Sequence, residues 1–267
     1  MVRIGLLPGQ RRLYPAAMIA SLMMYARPET DAALGRYWAL IRKALAARGI
    51  ASPVTLSNTT ESFAVWTDPA LVLSQTCGMP FRTRLHDKVT LVGTPDFGVE
   101  GCPPGYYRSA IVVRAEDDRA TLADFAAARF TYNETLSQSG FAAIHAAARA
   151  AGFWFGDRSQ SHGHVHSARA VAEGRADIAA LDAVTWRLIR QFEPCADQLR
   201  VLEWTEPTPG LPYITARGMD GAAVFEAVAE AMAALSAPDR AALGLQGMVA
   251  ISASDYLDVP NPPSADI

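Results

Sequence analysis

The residues best suited to chemistry are short hydroxyl, amide and imidazole groups that follow apolar runs. Ser137-Gln138-Ser139-Gly140 comes after the β-prone run Arg129-Phe130-Thr131-Tyr132 and before an Ala-rich stretch that ends at Gly152. A strand that enters a helix through such a loop leaves the first helical N–H groups without intrahelical partners and with partial positive charge. Two hydroxyls beside those groups can hold an anion or a carbonyl oxygen. Either serine could equally be an N-cap and nothing more. Cys77, in Ser74-Gln75-Thr76-Cys77-Gly78, stands where a helix N-terminus would lower a thiol pKa and suit a nucleophile. A thiol that merely lines a cleft, or half of a bridge to Cys102, explains it as well. His162, His164 and His166 alternate and would share one face of an extended segment, as metal ligands do. No carboxylate or cysteine is close enough in sequence to complete such a set, so no metal is expected. Ser139, His166 and Asp182 have the residue types of a hydrolytic triad but lack the G-x-S-x-G turn, and no catalytic residue is assigned. Neither a Walker A loop nor a G-x-G-x-x-G is present, and no cofactor is expected.

The elements that must position these groups follow from periodicity. Ile19 to Tyr25 predicts a first strand, and Thr30 or Asp31 caps a helix in which Leu34, Trp38, Ile41 and Leu45 recur at helical spacing. Short strands are predicted at Val54 to Leu56, Leu71 to Leu73, Val89 to Val92, Tyr106 to Arg114, Asp177 to Leu181, Leu199 to Trp204 and Tyr213 to Ala216. Gly156 to Gly163 reads as a polar loop and Ser167 to Glu173 as a helix. A further helix begins at Asp182, with Trp186 one turn on. Helices also fit Val224 to Leu235 and Ala237 to Leu243, followed by a Pro-rich tail expected to fray. Strands alternating with helices imply α/β lobes, each a mostly parallel sheet flanked by helices. The expected division puts residues 1–108 and 205–267 in a discontinuous first lobe and residues 109–204 in a second. In such sheets ligands bind beyond the carboxyl ends of the strands. Those ends carry Tyr25, Gln75, Thr76, Ser137, Gln138, Ser139, Gly140, His166, Asp182 and Tyr213, a polar set suited to a small polar ligand.

Composition excludes several classes. Half of the 267 residues are hydrophobic, 19% are charged and the net charge is −3, with no basic run to meet a nucleic acid. No apolar stretch has the roughly 18 residues that a spanning helix needs. Arg3 and Arg11-Arg12 precede an apolar run, but Met18 to Tyr25 reads better as a buried strand than as the core of a signal peptide. Three cysteines without a C-x-x-C exclude a disulfide scaffold.

Several segments together resemble the phosphate/phosphonate-type substrate-binding proteins of ABC transporters, a branch of the type 2 periplasmic binding fold. They are Ala20 to Tyr25 with Pro28-Glu29, Leu73 to Gly78, Gly101-Cys102 with Tyr107-Arg108-Ser109, Ser137 to Gly140, His166, Glu173 to Asp177, and Thr208 to Tyr213. The resemblance covers Ile19 to Leu243. It implies a two-lobed protein, expected as a monomer, that closes on a small molecule and delivers it to a membrane permease and its ATPase. Carried across, Ser137, Ser139 and the Gly140 backbone would bind an anionic group. His166 would be a second donor, Tyr25 would reach in from the other lobe, and Gln75 and Asp182 would set specificity. The Ser-Gln-Ser-Gly form stands where Ser-Thr-Ser is usual, which widens the expected ligand to phosphonate- or phosphate-like anions. The expected location is the periplasm, with the cytoplasm as the alternative where no clear leader is present. The rival readings are an enzyme of the thiamine- or pyrimidine-precursor type using Cys77 or His166, and a ligand-sensing domain.

Overall fold

The computed structural model describes residues 18–266. The expectation about a leader at Arg3 and Arg11-Arg12 lies outside the described residues.

In chain order the first sheet's elements are β1 (Ile19–Ser21), α1 (Asp31–Ala47), α2 (Ser62–Trp66), β2 (Leu71–Gln75), α3 (Gly78–Pro80) and β3 (Val89–Asp96). The chain then passes through β4 (Tyr106–Tyr107) into β5 (Ser109–Arg114) and β6 (Arg129–Tyr132) of a second sheet. A wide-turned segment, Gln138–Ala142, runs into α4 (Ala143–Ala150). It is followed by β7 (Asp157–Gln160), α5 (His164–Ala172), β8 (Ile178–Asp182), α6 (Ala183–Phe192) and β9 (Leu199–Trp204). The return is through β10 (Thr208–Pro209) to β11 (Tyr213–Ala216), α7 (Gly221–Ala233), α8 (Ala237–Leu243), β12 (Gly247–Val249) and α9 (Ala253–Leu257).

Two five-stranded sheets result, in the orders β1-β2-β11-β3-β12 and β7-β6-β8-β5-β9. Where the chain crosses between them, β4 and β10 pair antiparallel as a two-stranded ribbon, Thr208 opposite Tyr107. Parallel pairing is found where a helix connects the strands, in β1–β2, β6–β7 and β6–β8. The strands that leave or re-enter a sheet, β5, β9 and β11, pair antiparallel, because they arrive from the opposite end. Each sheet buries its faces under helices. The α1 stripe Leu34, Trp38, Ile41 and Leu45 packs with Val224 and Val228 of α7 in one core. Phe125, Phe130, Phe141 and Phe155 form another beneath α4.

Several local expectations are corrected. The first strand ends at Ser21 because the Asn58 side chain takes over its hydrogen bonding, accepting from Ser21 Oγ at 3.0 Å and Leu22 N at 2.8 Å. Val54 to Leu56 forms no strand; Val54 is 72% exposed, and only Leu56 packs against the first core. The polar Asp157–Gln160 stretch is an edge strand, paired on one side to β6, which is why its side chains are polar. The helix expected from Ser167 begins at His164. Trp186 packs with Ile189 in the second sheet's core and does not line a cleft. The tail does not fray through Asp266. That side chain meets His145 Nε2 at 2.8 Å and accepts from Arg149 at 2.6 Å, and its carbonyl accepts from Arg158 at 2.9 Å. All three cysteines are free, so the Cys77–Cys102 bridge does not form.

Phe130 is fully buried and stacks on Phe155 with centroids 4.8 Å apart. Phe130→Ala is expected to cost about 3–5 kcal/mol in urea unfolding. A loss below about 1 kcal/mol would show that this aromatic cluster does not hold the second sheet together.

Candidate functional site

The carboxyl ends of the strands from both sheets meet at a cleft of about 780 Å³. Its polar end is built on the loop after β6. Ser137 Oγ accepts from Gly140 N at 2.9 Å, so Ser137 is the N-cap that closes the first turn. Accepting leaves its own O–H proton free, and Ser137 lines the cleft. Ser139 Oγ lies 3.0 Å from His164 Nε2, on the first residue of α5. A side chain at Gly140 would strike the Asn133 amide oxygen, so the backbone turns this tightly only with glycine. The loop is tied to the first sheet through Gln138 N, which donates to Cys77 Sγ at 3.3 Å.

Across the cleft, Tyr25 Oη donates to Asp182 Oδ2 at 2.7 Å. The other oxygen of Asp182 caps α6, accepting from Val184 N at 2.7 Å and Thr185 N at 2.9 Å. Burial pushes the Asp182 carboxyl up against the opposing pull of these three donors. Burial and the neighbouring carboxylate hold the Tyr25 phenol well above its ordinary value. Burial also raises the Cys77 thiol, so at neutral pH this is a thiol and not the thiolate that nucleophilic chemistry requires. His164 is drawn down from 6.5 to about 4 by desolvation, against the smaller opposing pull of the Ala180 backbone. It therefore stands neutral at pH 7.

Of the residues singled out from the sequence, Tyr25, Cys77, Ser137, Ser139, His164, His166 and Asp182 line the cleft. His166 does so from an exposed position, with its Nδ1 turned 3.1 Å from Ser161 O. Gln138 and Gly140 are buried behind the serines and act through the backbone contacts above. Gln75, Thr76 and Tyr213 do not line the cleft. Gln75 donates to Leu211 O at 3.2 Å, and burial pushes the Tyr213 phenol up to about 12; both border a smaller cavity behind the cleft. The Thr76 hydroxyl lies 3.4 Å from Cys77 O. The sequence offers His164 only as one of three candidate metal ligands, with His166 as the expected ligand donor. The alternation of three histidines gave no means of choosing among them. The choice is made by where α5 starts, which turns His164 inward and His166 outward. The three imidazoles diverge: His162 is 3.6 Å from Glu134, His164 faces Ser139 and His166 faces Ser161. Asp182 is engaged by Tyr25, so Ser139, His166 and Asp182 form no relay.

The neutral state of His164 has a consequence for pH. Between pH 6.5 and about 4 the unfolded chain binds a proton at this residue that the folded chain does not, so stability falls as pH falls through that window. His164→Asn should flatten this loss by up to about 2 kcal/mol at pH 5, read from urea midpoints at pH 7 and 5. Parallel pH profiles for the two proteins would contradict a buried neutral imidazole.

No curated protein matched the sequence. Solved structures do match in fold. Over 90% of this chain and 94% of the other, PhnD1 of Prochlorococcus marinus in complex with methylphosphonate superposes with a TM-score of 0.66 at 14% identity. The binding-protein component of an ABC phosphonate transporter from Pseudomonas aeruginosa gives 0.61 at 13% identity, covering 90% and 82%. XAC2383 of Xanthomonas citri, solved with ATP, gives 0.65 at 13% identity, covering 89% and 92%. These likenesses establish the two-lobed periplasmic-binding-protein fold. The family model of ABC-transporter phosphonate periplasmic substrate-binding proteins matches residues 83–256, and the chain belongs to that family.

Proposed function

We propose that this solute-binding component of an ABC transporter holds a phosphonate- or phosphate-like oxyanion at the polar end of its cleft. The observation that carries the reading is the Ser139–His164 pair, 3.0 Å apart, beside the first turn of the segment at Gln138 and on the wall of a 780 Å³ cleft. Ser137 and Ser139 supply hydroxyls, and His164 supplies the imidazole nitrogen that lies 3.0 Å from Ser139 Oγ. An anion there would raise the low pKa of His164, so binding would draw in a proton. The ligands named for the similar structures, methylphosphonate and ATP, share an oxyanionic phosphorus group, which supports this chemistry.

The lobes divide at residues 108/109 and 204/205, and the β4–β10 ribbon between them acts as the hinge. Ligand binding biases the two lobes toward closure, and the closed form is what the permease and its ATPase receive. The protein performs no chemistry: the Cys77 thiol is raised by burial, and Ser139 lacks a histidine backed by a carboxylate. It works in the periplasm, as a monomer. Among the described residues the large exposed apolar side chains are Met18, Val54, Trp204 and Leu257, on separate segments of the chain. No helix among the described residues is long and apolar enough to cross a membrane.

Titration calorimetry with methylphosphonate tests the reading. Wild-type protein is expected to bind, and Ser139→Ala to weaken binding by about 10- to 100-fold, the worth of one hydrogen bond to a charged group. Equal affinities in the two proteins would remove Ser139 from the site, and no binding by the wild type would remove the oxyanion reading.

A further inference from the structure

Most of the cleft is not the oxyanion site. Three contacts already join the lobes across it: Tyr25 to Asp182 at 2.7 Å, Arg27 to Glu193 at 3.0 Å, and Gln138 N to Cys77 Sγ at 3.3 Å. The 780 Å³ is therefore what remains with the lobes touching. That volume falls in the range of about 300–1,000 Å³ that holds drug-sized ligands, far beyond the needs of a one-carbon phosphonate.

What lines the remainder is apolar. Met24, Phe63, Trp66, Pro80 and Leu211 face it from the first lobe. Phe63 and Trp66 pack edge to face with centroids 5.1 Å apart. Trp66 Nε1 is already committed to Gln75 O at 3.1 Å, so the indole can present only carbon to the cleft. The ionic groups on the cleft wall are committed too. Arg27 is bonded to Glu29 at 2.9 Å and to Glu193, and its guanidinium lies over the Phe192 ring. Glu61 caps α2, accepting from Phe63 N and Ala64 N. Glu134 accepts from Gln160. Among the described residues lining the cleft, the one arginine is already paired and each carboxylate already has a donor, although Arg84 lies over the outer side of Phe63 with its guanidinium 5.4 Å from the ring centroid.

We infer that the ligand is an oxyanion carrying an apolar substituent of at least the size of an aromatic ring, with the anion at Ser137, Ser139 and His164 and the substituent against Phe63, Trp66 and Met24. This rests on the oxyanion reading above and specifies the rest of the molecule. α2 holds the aromatic pair in the first lobe's own core, where Val65 is fully buried and Trp66 nearly so, so hinge motion does not dissolve the apolar wall.

Calorimetry with phenylphosphonate, methylphosphonate and 2-aminoethylphosphonate on the intact protein decides the point. Phenylphosphonate is expected to bind at least about tenfold more tightly than either of the others, from the extra apolar area removed from water. Phe63→Ala is expected to bring the phenyl-to-methyl affinity ratio toward one. Equal affinity for phenyl and methyl, or a preference for the aminoethyl compound, overturns the inference and leaves the oxyanion site standing. A ratio unchanged by Phe63→Ala overturns the placement of the substituent. If none of the three binds, both readings fall. The wild-type ratio stands by itself should the Phe63 variant fold poorly.

Discussion

A carboxylate buried between two lobes has to be fully hydrogen-bonded, and Asp182 is placed so that each lobe supplies part of what it needs. One oxygen accepts from the N–H groups of Val184 and Thr185 in the first turn of α6, in its own lobe. The other accepts from the Tyr25 phenol of the opposite lobe. Only 2% of Asp182 is exposed, so removing Tyr25 would leave a buried charge short of a donor, a state that costs more than the pair contributes. The contact therefore ties the two lobes across the cleft, together with Arg27 to Glu193 and Gln138 N to Cys77 Sγ. It also explains why Asp182 is occupied as a lobe tie and cap, while hydroxyl and imidazole groups are left at the polar end.

The loop after β6 shows the same separation of roles. Ser137 is bonded as a cap, Gly140 permits the turn, and Gln138 ties the loop to Cys77 through its backbone. Ser139 is then held 3.0 Å from an imidazole that burial keeps neutral. A neutral, hydrogen-bonding end suits an oxyanion that brings its own charge. The carboxylates of the cleft wall are each engaged elsewhere, and Phe63 and Trp66 line the same cleft as an edge-to-face pair.

Much of this was legible in the chain because it is local. The strand-loop-helix around Ser137, the α1 stripe, the strand ending at Asp182 and its cap all depend on residues within a few positions of one another. The family resemblance rested on those same local segments. What was not legible depends on distant partners. The first strand stops at Ser21 because Asn58, far along the chain, takes its hydrogen bonds. His164 and not His166 meets Ser139 because α5 starts three residues earlier than its Ala-rich pattern suggests. Gln75 and Tyr213 sit at strand ends as expected, yet β2 and β11 pair there and aim them at a smaller cavity behind the cleft. The aromatic wall arises from α2, a five-residue helix too short to carry a readable period.

The claim on which the rest depends is that the anion sits between the Ser137 loop and α5. A crystal structure of the protein grown with phenylphosphonate tests it most directly. The account predicts the phosphorus centre within hydrogen-bonding reach of Ser139 Oγ and His164 Nε2, with Asp182 still bonded to Tyr25. Phosphonate density lodged elsewhere in the cleft, or bound in place of the Tyr25 hydroxyl at Asp182, would contradict it.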